Sequence, residues 1–485
     1  MAYEFERTQR IAVLGGGPGG YEAALTAAQL GADVTVIERA GIGGSAVLTD
    51  VVPSKTLIAT AVASKAVDEA ADLGVRFFAR GESGRAVRPE VAVNLAAVNK
   101  RLLALAQQQS DDMKSSLLAA GVTIIQGDGR LDGQQHGQLR LVASTGTGAK
   151  RTDFETVEAD TIVVSVGARP RIVKDAEPDG ERILTWTQLY QLDDVPERLI
   201  VVGSGVTGAE FAAAYQALGS QVTLVSSREH VLPGEDADAA TVIERVFTRN
   251  GMTVLGKSRM ESVRRTGGGK GDGVIVTLTD GRTLEGSHCL LALGSVPNTS
   301  GIGLEDAGVQ LTESGHIRVN RVARTSLPSV YAAGDCSDFL PLASVASMQG
   351  RTAVFHAMGD TVNPTELRNV TSNIFTQPEI ATVGWSQKQL EEGLVHGTVQ
   401  KLELKHNPRA KMLGIAEGFV KLIASTGGTV IGGVVVAPRA SELILPIAIA
   451  IEHRLTVDQL AEAFSVYPSL SGSITDVARA MHRVD

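Results

Sequence analysis

At 485 residues the chain is too long for one compact core, and two to four domains are expected. A hydrophobic content of 43% and a charged content of 20% exclude collagen-like and disordered chains. A formal net charge of −9, without clustered Lys and Arg, argues against a nucleic-acid partner. Cys289 and Cys336 are the only cysteines, too few for a disulfide framework or a thiolate metal site, so no metal is expected and both should be buried. The segment Met1–Arg7 carries acidic residues and no apolar core, unlike a secretory signal, which makes the cytoplasm the expected location. The longest apolar run, Leu443 to Ile451, contains Pro446 and is far shorter than the roughly 20 residues of a spanning helix. No transmembrane segment is therefore expected.

The first element is the short β-like run Ile11–Leu14, followed by Gly15-Gly16-Gly17-Pro18-Gly19-Gly20, an alanine-rich stretch from Tyr21 to Leu30, and the strand-like Asp33–Glu38. Strand, glycine turn, helix and strand make a βαβ unit. Gly15 permits the tight turn, Gly17 lets the backbone approach a pyrophosphate, and Gly20 lets helix and strand pack closely. From about Val122 to Lys150, the turns Gly127-Asp128-Gly129 and Gly133-Gln134-Gln135-His136-Gly137 mark a β-meander interrupting this unit.

A second copy begins at Leu199–Val202, with Gly203-Ser204-Gly205-Val206-Thr207-Gly208, then Ala209 to Leu218, then Gln221–Ser226, at the same spacing. One glycine fingerprint is weak evidence of a nucleotide site; two in the same context are strong. The glycine-rich Thr266–Gly273 reads as the tip of a hairpin in this copy. From about Thr361 the pattern changes to mixed strands and helices without a fingerprint, which marks a separate C-terminal domain.

The two copies differ where a dinucleotide's ribose would bind. Glu38 ends the second strand of the first copy, about 20 residues past the glycines, where a carboxylate accepts hydrogen bonds from a ribose without a 2′-phosphate. Ser226 holds that place in the second copy, followed by Ser227 and Arg228. A serine removes the repulsion of a 2′-phosphate and an arginine can pair with it, so the second site is expected to accept NADPH alongside NADH.

Several motifs in this order resemble the pyridine nucleotide-disulfide oxidoreductase family along nearly the whole chain. The first glycine loop with Glu38 is similar to its FAD fingerprint, Ser165-Val166-Gly167 to its Ala-Thr-Gly, and Tyr331-Ala332-Ala333-Gly334-Asp335 to its second flavin motif. The second loop with Glu210 resembles its nicotinamide domain. Phe375 to Gly384, Gly418-Phe419-Val420-Lys421 and Ala440 to Ile444 resemble its dimerisation domain.

The resemblance implies an α/β fold of two Rossmann-like dinucleotide-binding domains, for FAD and NAD(P), plus an α+β C-terminal dimerisation domain. The implied boundaries are 1–160 and 286–360 for the split FAD-binding domain, 161–285 for the NAD(P)-binding domain and 361–485 for the dimerisation domain. FAD would be held by Gly15, Gly17, Pro18, Gly20, Glu38, Gly44, Ser45, Lys55, Gly129, Ser165, Val166, Gly167 and Asp335, with Leu342, Ala343 and Ser344 near its ring. The nicotinamide dinucleotide would meet Gly203, Gly205, Val206, Thr207, Gly208, Glu210, Ser226, Arg228 and Gly294. Lys55 is implied beside the flavin, paired with Glu210, and a homodimer is implied in which Tyr467 lies at the partner's site.

Departures from the family pattern point to function. The frame Gly43–Lys55 has Ala46 and Val51 where the disulfide reductases carry a Cys-x-x-x-x-Cys pair. The family's C-terminal His-Pro-Thr-x-x-Glu corresponds to Tyr467-Pro468-Ser469-Leu470-Ser471-Gly472. Every thiol-handling part is replaced while both nucleotide fingerprints remain. The expected activity is transfer of electrons from NAD(P)H through FAD directly to a small-molecule quinone, with Lys55, Glu210 and Tyr467 as candidate catalytic residues. A flavin-dependent transhydrogenase and a non-catalytic nucleotide-binding scaffold are the alternatives.

Overall fold

The computed structural model describes residues 8–71, 73–78, 86–87, 91–135, 138–145, 151–267 and 272–482. The expectations placed on Met1–Arg7, on His136-Gly137, on 146–150 and on the hairpin tip 268–271 lie outside the described residues. Two compact units divide the chain. One takes it up to Ser54, then Lys100–Arg171 and Ser295–Leu367; the other comprises Lys55–Asn99, Ile172–Gly294 and Arg368–Asp485.

The first unit opens with β1 (Arg10–Leu14), apolar on both faces, as befits a central parallel strand. Gly15, at φ +96°, turns the chain into α1 (Pro18–Gln29), where Pro18 sits in the first turn and loses no intrahelical bond. β2 (Asp33–Glu38) returns parallel to β1, with Ile11 opposite Val34 and Leu14 opposite Ile37. α2 (Gly44–Leu48) follows; α3 (Val51–Glu69) passes into the other unit after Ser54, and α4 (Leu95–Ala119) returns to this one at Lys100. β3 (Thr123–Gln126) then joins β2, and the antiparallel β4 (Asp128–Gln135), β5 (Gln138–Thr145) and β6 (Thr152–Ala159) form the meander. The expected meander is present, but its opening strand belongs to the parallel sheet and its last strand ends at Ala159. β7 (Thr161–Val164) inserts beside β1.

The second unit repeats this plan. β8 (Ile183–Thr185) precedes β9 (Arg198–Val202), α5 (Val206–Ala217), β10 (Gln221–Val225), α6 (Ala237–Arg249) and β11 (Thr253–Leu255). A second meander of β12 (Met260–Arg265), β13 (Val274–Leu278) and β14 (Thr283–Gly286) leads to β15 (His288–Leu291). The parallel sheet has the order β8-β15-β9-β10-β11. α6 is amphipathic: Ala239, Ala240, Val242, Ile243, Val246 and Phe247 are buried, and Asp236 caps it by accepting the N–H groups of Asp238 and Ala239. The duplication thus extends beyond the two βαβ units to the meanders and the closing strands.

The chain then returns to the first sheet with β16 (Val330–Ala332), giving the order β16-β7-β1-β2-β3, followed by α7 (Ala343–Ala357). Two expected boundaries shift accordingly. Thr161–Val164 completes the first sheet, so the second nucleotide fold begins after Arg171, and it ends at Gly294 because His288–Leu291 completes the second sheet.

The C-terminal region is a five-stranded antiparallel sheet of β17 (Ser372–Ile374), β18 (Glu379–Gly384), β19 (Gly397–Glu403), β20 (Phe419–Ser425) and β21 (Val430–Ala437), in the order β17-β18-β21-β20-β19. The helices α8 (Ala440–Leu443), α9 (Leu445–Glu452) and α10 (Gly472–Ala480) cover it, with Leu422, Val435, Ile447 and Val477 in one core. Among the described residues one helical stretch, Gly44–Val67, is long and apolar enough to cross a membrane by length and composition alone. It is interrupted at Thr49-Asp50 and carries Lys55, whose ammonium is committed to an ion pair with Glu210.

Candidate functional site

The three glycines of each fingerprint do different work, and a methyl group added at each shows it. On Gly15 it would overlap the carbonyl oxygen of Ser165, and on Gly20 it would overlap the carbonyl oxygen of Gly15. On Gly17 its nearest neighbour would be Ser165 O at 3.9 Å. The second copy repeats the pattern: Gly203 faces Ala292 O, Gly208 faces Gly203 O, and Gly205 has nothing within 4 Å. The outer glycines are filled by protein, whereas the middle ones leave open space at a helix N-terminus, where unpaired N–H groups suit a pyrophosphate. Val206 and Thr207 form the open first turn of α5, and Gly167 and Gly294 likewise have nothing within 4 Å.

In the first unit the Glu38 carboxylate accepts N–H bonds from Gly16 at 2.6 Å, Ala40 at 2.7 Å and Gly41 at 3.3 Å. A carboxylate has about four acceptor sites, so capacity remains for a ribose hydroxyl. Gly43 N–H donates to Gly16 O at 2.7 Å, and a methyl group on Gly44 would come within 2.9 Å of Gly17 Cα, so Gly43-Gly44 lies tight against the loop, with Ser45 exposed. The backbone of Val166 and Gly167 is held by Asn298. Burial pushes the Asp335 carboxyl above its usual range, and a cofactor hydroxyl could donate to it. Leu342 caps α7 without a side-chain bond, leaving the N–H groups around Ala343 and Ser344 at a positive helix end. Gly129 packs against Leu14 and Ile37, where any side chain would collide with the sheet. The set fits FAD.

In the second unit Ser226 departs from expectation. It is fully buried, and its hydroxyl is engaged with Ser204 Oγ at 2.7 Å, His230 O at 3.3 Å and Arg228 N–H at 3.1 Å. Ser227 and Arg228 are exposed. The strand end therefore offers a guanidinium and no carboxylate, while Ser226 braces the loop from inside.

Lys55, in the second turn of α3, places Nζ 2.7 Å from Glu210 Oε2 of α5. Glu210 Oε1 accepts the backbone N–H of Phe375 at 2.8 Å, and Lys55 Nζ lies 4.9 Å from the centre of the Phe375 ring. The Glu210 side chain is 4% exposed and that of Lys55 27%. A buried carboxylate with two donors is satisfied, and it fixes the ammonium. That Phe375 joins this pair is not legible in the sequence, because a backbone donor leaves no mark in residue type. Tyr467 is not brought to it within the chain: it is 82% exposed, beside the exposed Phe464 and Val466.

The Pyridine nucleotide-disulphide oxidoreductase family matches residues 9–350, and the dimerisation domain of the same family matches residues 370–478. The chain belongs to this oxidoreductase family. It is a flavoprotein oxidoreductase that uses FAD and NAD(P)H, with a C-terminal dimerisation domain. This oxidoreductase is 50% identical over 480 residues to an NAD(P)H dehydrogenase (quinone) of Mycobacterium tuberculosis, covering 97% of this chain and 94% of the relative. It is 30% identical over 471 residues to a dihydrolipoyl dehydrogenase of Chlorobaculum parvum, covering 97% and 96%. Among solved structures, LpdA from Mycobacterium tuberculosis superposes with a TM-score of 0.90 at 50% identity, covering 98% of this oxidoreductase and 100% of LpdA. The flavoprotein disulfide reductase RclA from Escherichia coli shares the fold at a TM-score of 0.81 and 20% identity, covering 98% and 100%.

Proposed function

We propose that this oxidoreductase passes electrons from NAD(P)H through FAD directly to a quinone, without a redox disulfide. One observation carries the reading. Ala46 and Val51 stand in the frame of the redox cysteine pair, and the chain's two thiols, Cys289 and Cys336, are both buried elsewhere. The 50% identical relative is an NAD(P)H dehydrogenase (quinone), which supports the acceptor class.

FAD, when bound, supplies two-electron chemistry with NAD(P)H and with a conjugated carbonyl acceptor. The chain's own residues bind, orient and compensate charge. The open faces of Gly17 and Gly205 admit pyrophosphates, Glu38 takes a ribose hydroxyl, and Arg228 receives a 2′-phosphate. The Lys55 ammonium, held by Glu210, would balance negative charge near the reacting ring. Transfer to a planar acceptor needs proximity and charge balance but no thiol. A homodimer built through the dimerisation domain and a cytoplasmic location complete the proposal, with Tyr467 a candidate proton donor at the partner's site.

The test is an anaerobic titration with NADPH followed by visible absorbance, then addition of benzoquinone or of an oxidised dithiol such as lipoamide. The flavin should bleach without a thiolate charge-transfer band and recover with the quinone. Rapid recovery with the disulfide and not with the quinone overturns the assignment.

A further inference from the structure

Lys421 lies in the middle of β20, whose residues from Phe419 to Ala424 are all buried. A charged side chain there is costly unless fully paired. Lys421 is 1% exposed, and its ammonium meets Asp236 Oδ1 at 2.9 Å, Asp236 Oδ2 at 2.7 Å, Gln387 Oε1 at 2.8 Å and Asp238 Oδ2 at 2.7 Å. Lys401, opposite it in the sheet, adds a second ammonium 3.2 Å from Asp238. Burial alone would raise the Asp238 carboxyl, but hydrogen bonds and charge from Lys421 and Lys401 outweigh it and hold the group below its usual range.

Asp236 is the N-cap of α6 and the last residue of the segment that leaves β10 at Ser226. That segment is tied to the glycine loop at its other end: Ser226 Oγ meets Ser204 Oγ, and Leu232 N–H donates to Ser204 O at 2.8 Å. Glu235 N–H donates to Leu232 O at 3.0 Å, one residue before the cap. Segment 226–236 is therefore tied at one end to a buried lysine of the C-terminal sheet and at the other to the second glycine loop. Neither the fingerprint nor the Lys55 pair accounts for it.

We propose that Lys421 is a positioning residue for NAD(P)H: by fixing Asp236 it sets the conformation of segment 226–236, and with it Ser226 and Arg228 at the ribose end of the site. The proposal rests on NAD(P)H binding at the second glycine loop and not on the identity of the electron acceptor. α6 is also held at its far end, where Arg245 and Arg249 both pair with Glu417. That contact docks the same helix without touching segment 226–236, and so serves as a control.

The experiment uses the FAD-loaded protein and follows flavin bleaching by NADPH and by NADH in a stopped-flow instrument, so no acceptor is involved. The double variant Lys421→Met/Asp236→Asn removes the ion pair but keeps a capping side chain, since asparagine caps as well as aspartate. The apparent dissociation constant for NADPH should rise about tenfold while the limiting bleaching rate changes less than about twofold, with hydrogen exchange accelerated in 226–236. FAD content should stay at the level of the parent protein. Glu417→Gln should leave both nucleotide constants within about twofold of the parent. An unchanged NADPH constant in the double variant overturns the proposal. So does an equal loss in Glu417→Gln, which would make docking of α6 in general the cause.

Discussion

The hydroxyls of Ser204 and Ser226 stand 2.7 Å apart, both buried, at the places where the first copy has Gly16 N–H on the Glu38 carboxylate at 2.6 Å. Two loops of the same geometry are thus clamped by different chemistry, one anionic and one neutral. Rebuilding the first clamp in the second site, with Ser204→Gly and Ser226→Glu together, places a carboxylate near the ribose 2′ position. Repulsion of a 2′-phosphate amounts to about 1.5–3 kcal/mol at this range, so the ratio of kcat/KM for NADPH over NADH should fall about 10- to 100-fold. A ratio that does not move means that the 2′ position lies elsewhere.

The Lys55–Glu210 pair predicts an asymmetry in stability. Lys55→Met strands a carboxylate that is 4% exposed, whereas Glu210→Gln leaves no buried charge and keeps one acceptor oxygen for either Lys55 or the Phe375 N–H. Because Lys55 itself is partly open to water, the lysine variant should lose about 2 kcal/mol, toward the low end for a broken buried pair, and the glutamine variant about half that. Denaturant midpoints of the two proteins check the order; equal losses would mean that the carboxylate finds water or another donor.

A single methyl group separates folding from flavin binding in the first loop. Gly20→Ala would place its methyl on the carbonyl oxygen of Gly15 and should yield little folded protein. Gly17→Ala meets only Ser165 O at 3.9 Å and should fold, yet lose most of its bound flavin because the methyl occupies the approach to the pyrophosphate. Circular dichroism and flavin absorbance of the purified proteins distinguish the two outcomes. A Gly17→Ala protein that stays fully yellow would contradict the assignment of the open face.

His288 carries a pH dependence. Burial first, and the Arg182 guanidinium second, depress its imidazole from 6.5 to about 4. Its neutral form is therefore favoured in the folded chain, while the unfolded chain binds a proton near pH 6.5. The stabilising contribution is complete above pH 6.5 and declines as pH falls toward 4, by about 3 kcal/mol in all. Unfolding free energies at pH 7.5, 6 and 5 should fall less steeply in His288→Gln than in the parent; parallel slopes would assign the acid lability to carboxylates alone.

The glycine loops and Glu38 were legible because backbone geometry admits few alternatives there: a residue with a side chain at Gly15 or Gly20 has nowhere to put it. Duplication is visible at the fingerprints but not at the meanders, whose opening strands, Asp128–Gln135 and Met260–Arg265, share a role without a shared motif. The absence of a carboxylate at Ser226 is legible in the sequence; the burial of its hydroxyl is not, since that depends on Ser204 across the loop. Lys421 and Asp236 are 185 positions apart, a separation no local pattern bridges. A lysine alone in the apolar run Phe419–Ala424 was the one signal that a buried partner exists.

The burial of both thiols bears on how the protein ages. Cys289 and Cys336 are enclosed completely, and burial pushes the first well above the usual thiol range and the second to about 11. At neutral pH neither presents a thiolate to a peroxide, a hypohalous acid or an alkylating drug. Relatives that carry electrons on sulfur must spend part of their lifetime exposing a nucleophile that oxidants attack. In this chain both thiols are enclosed, so a thiol-directed reagent would label them only as the protein opens.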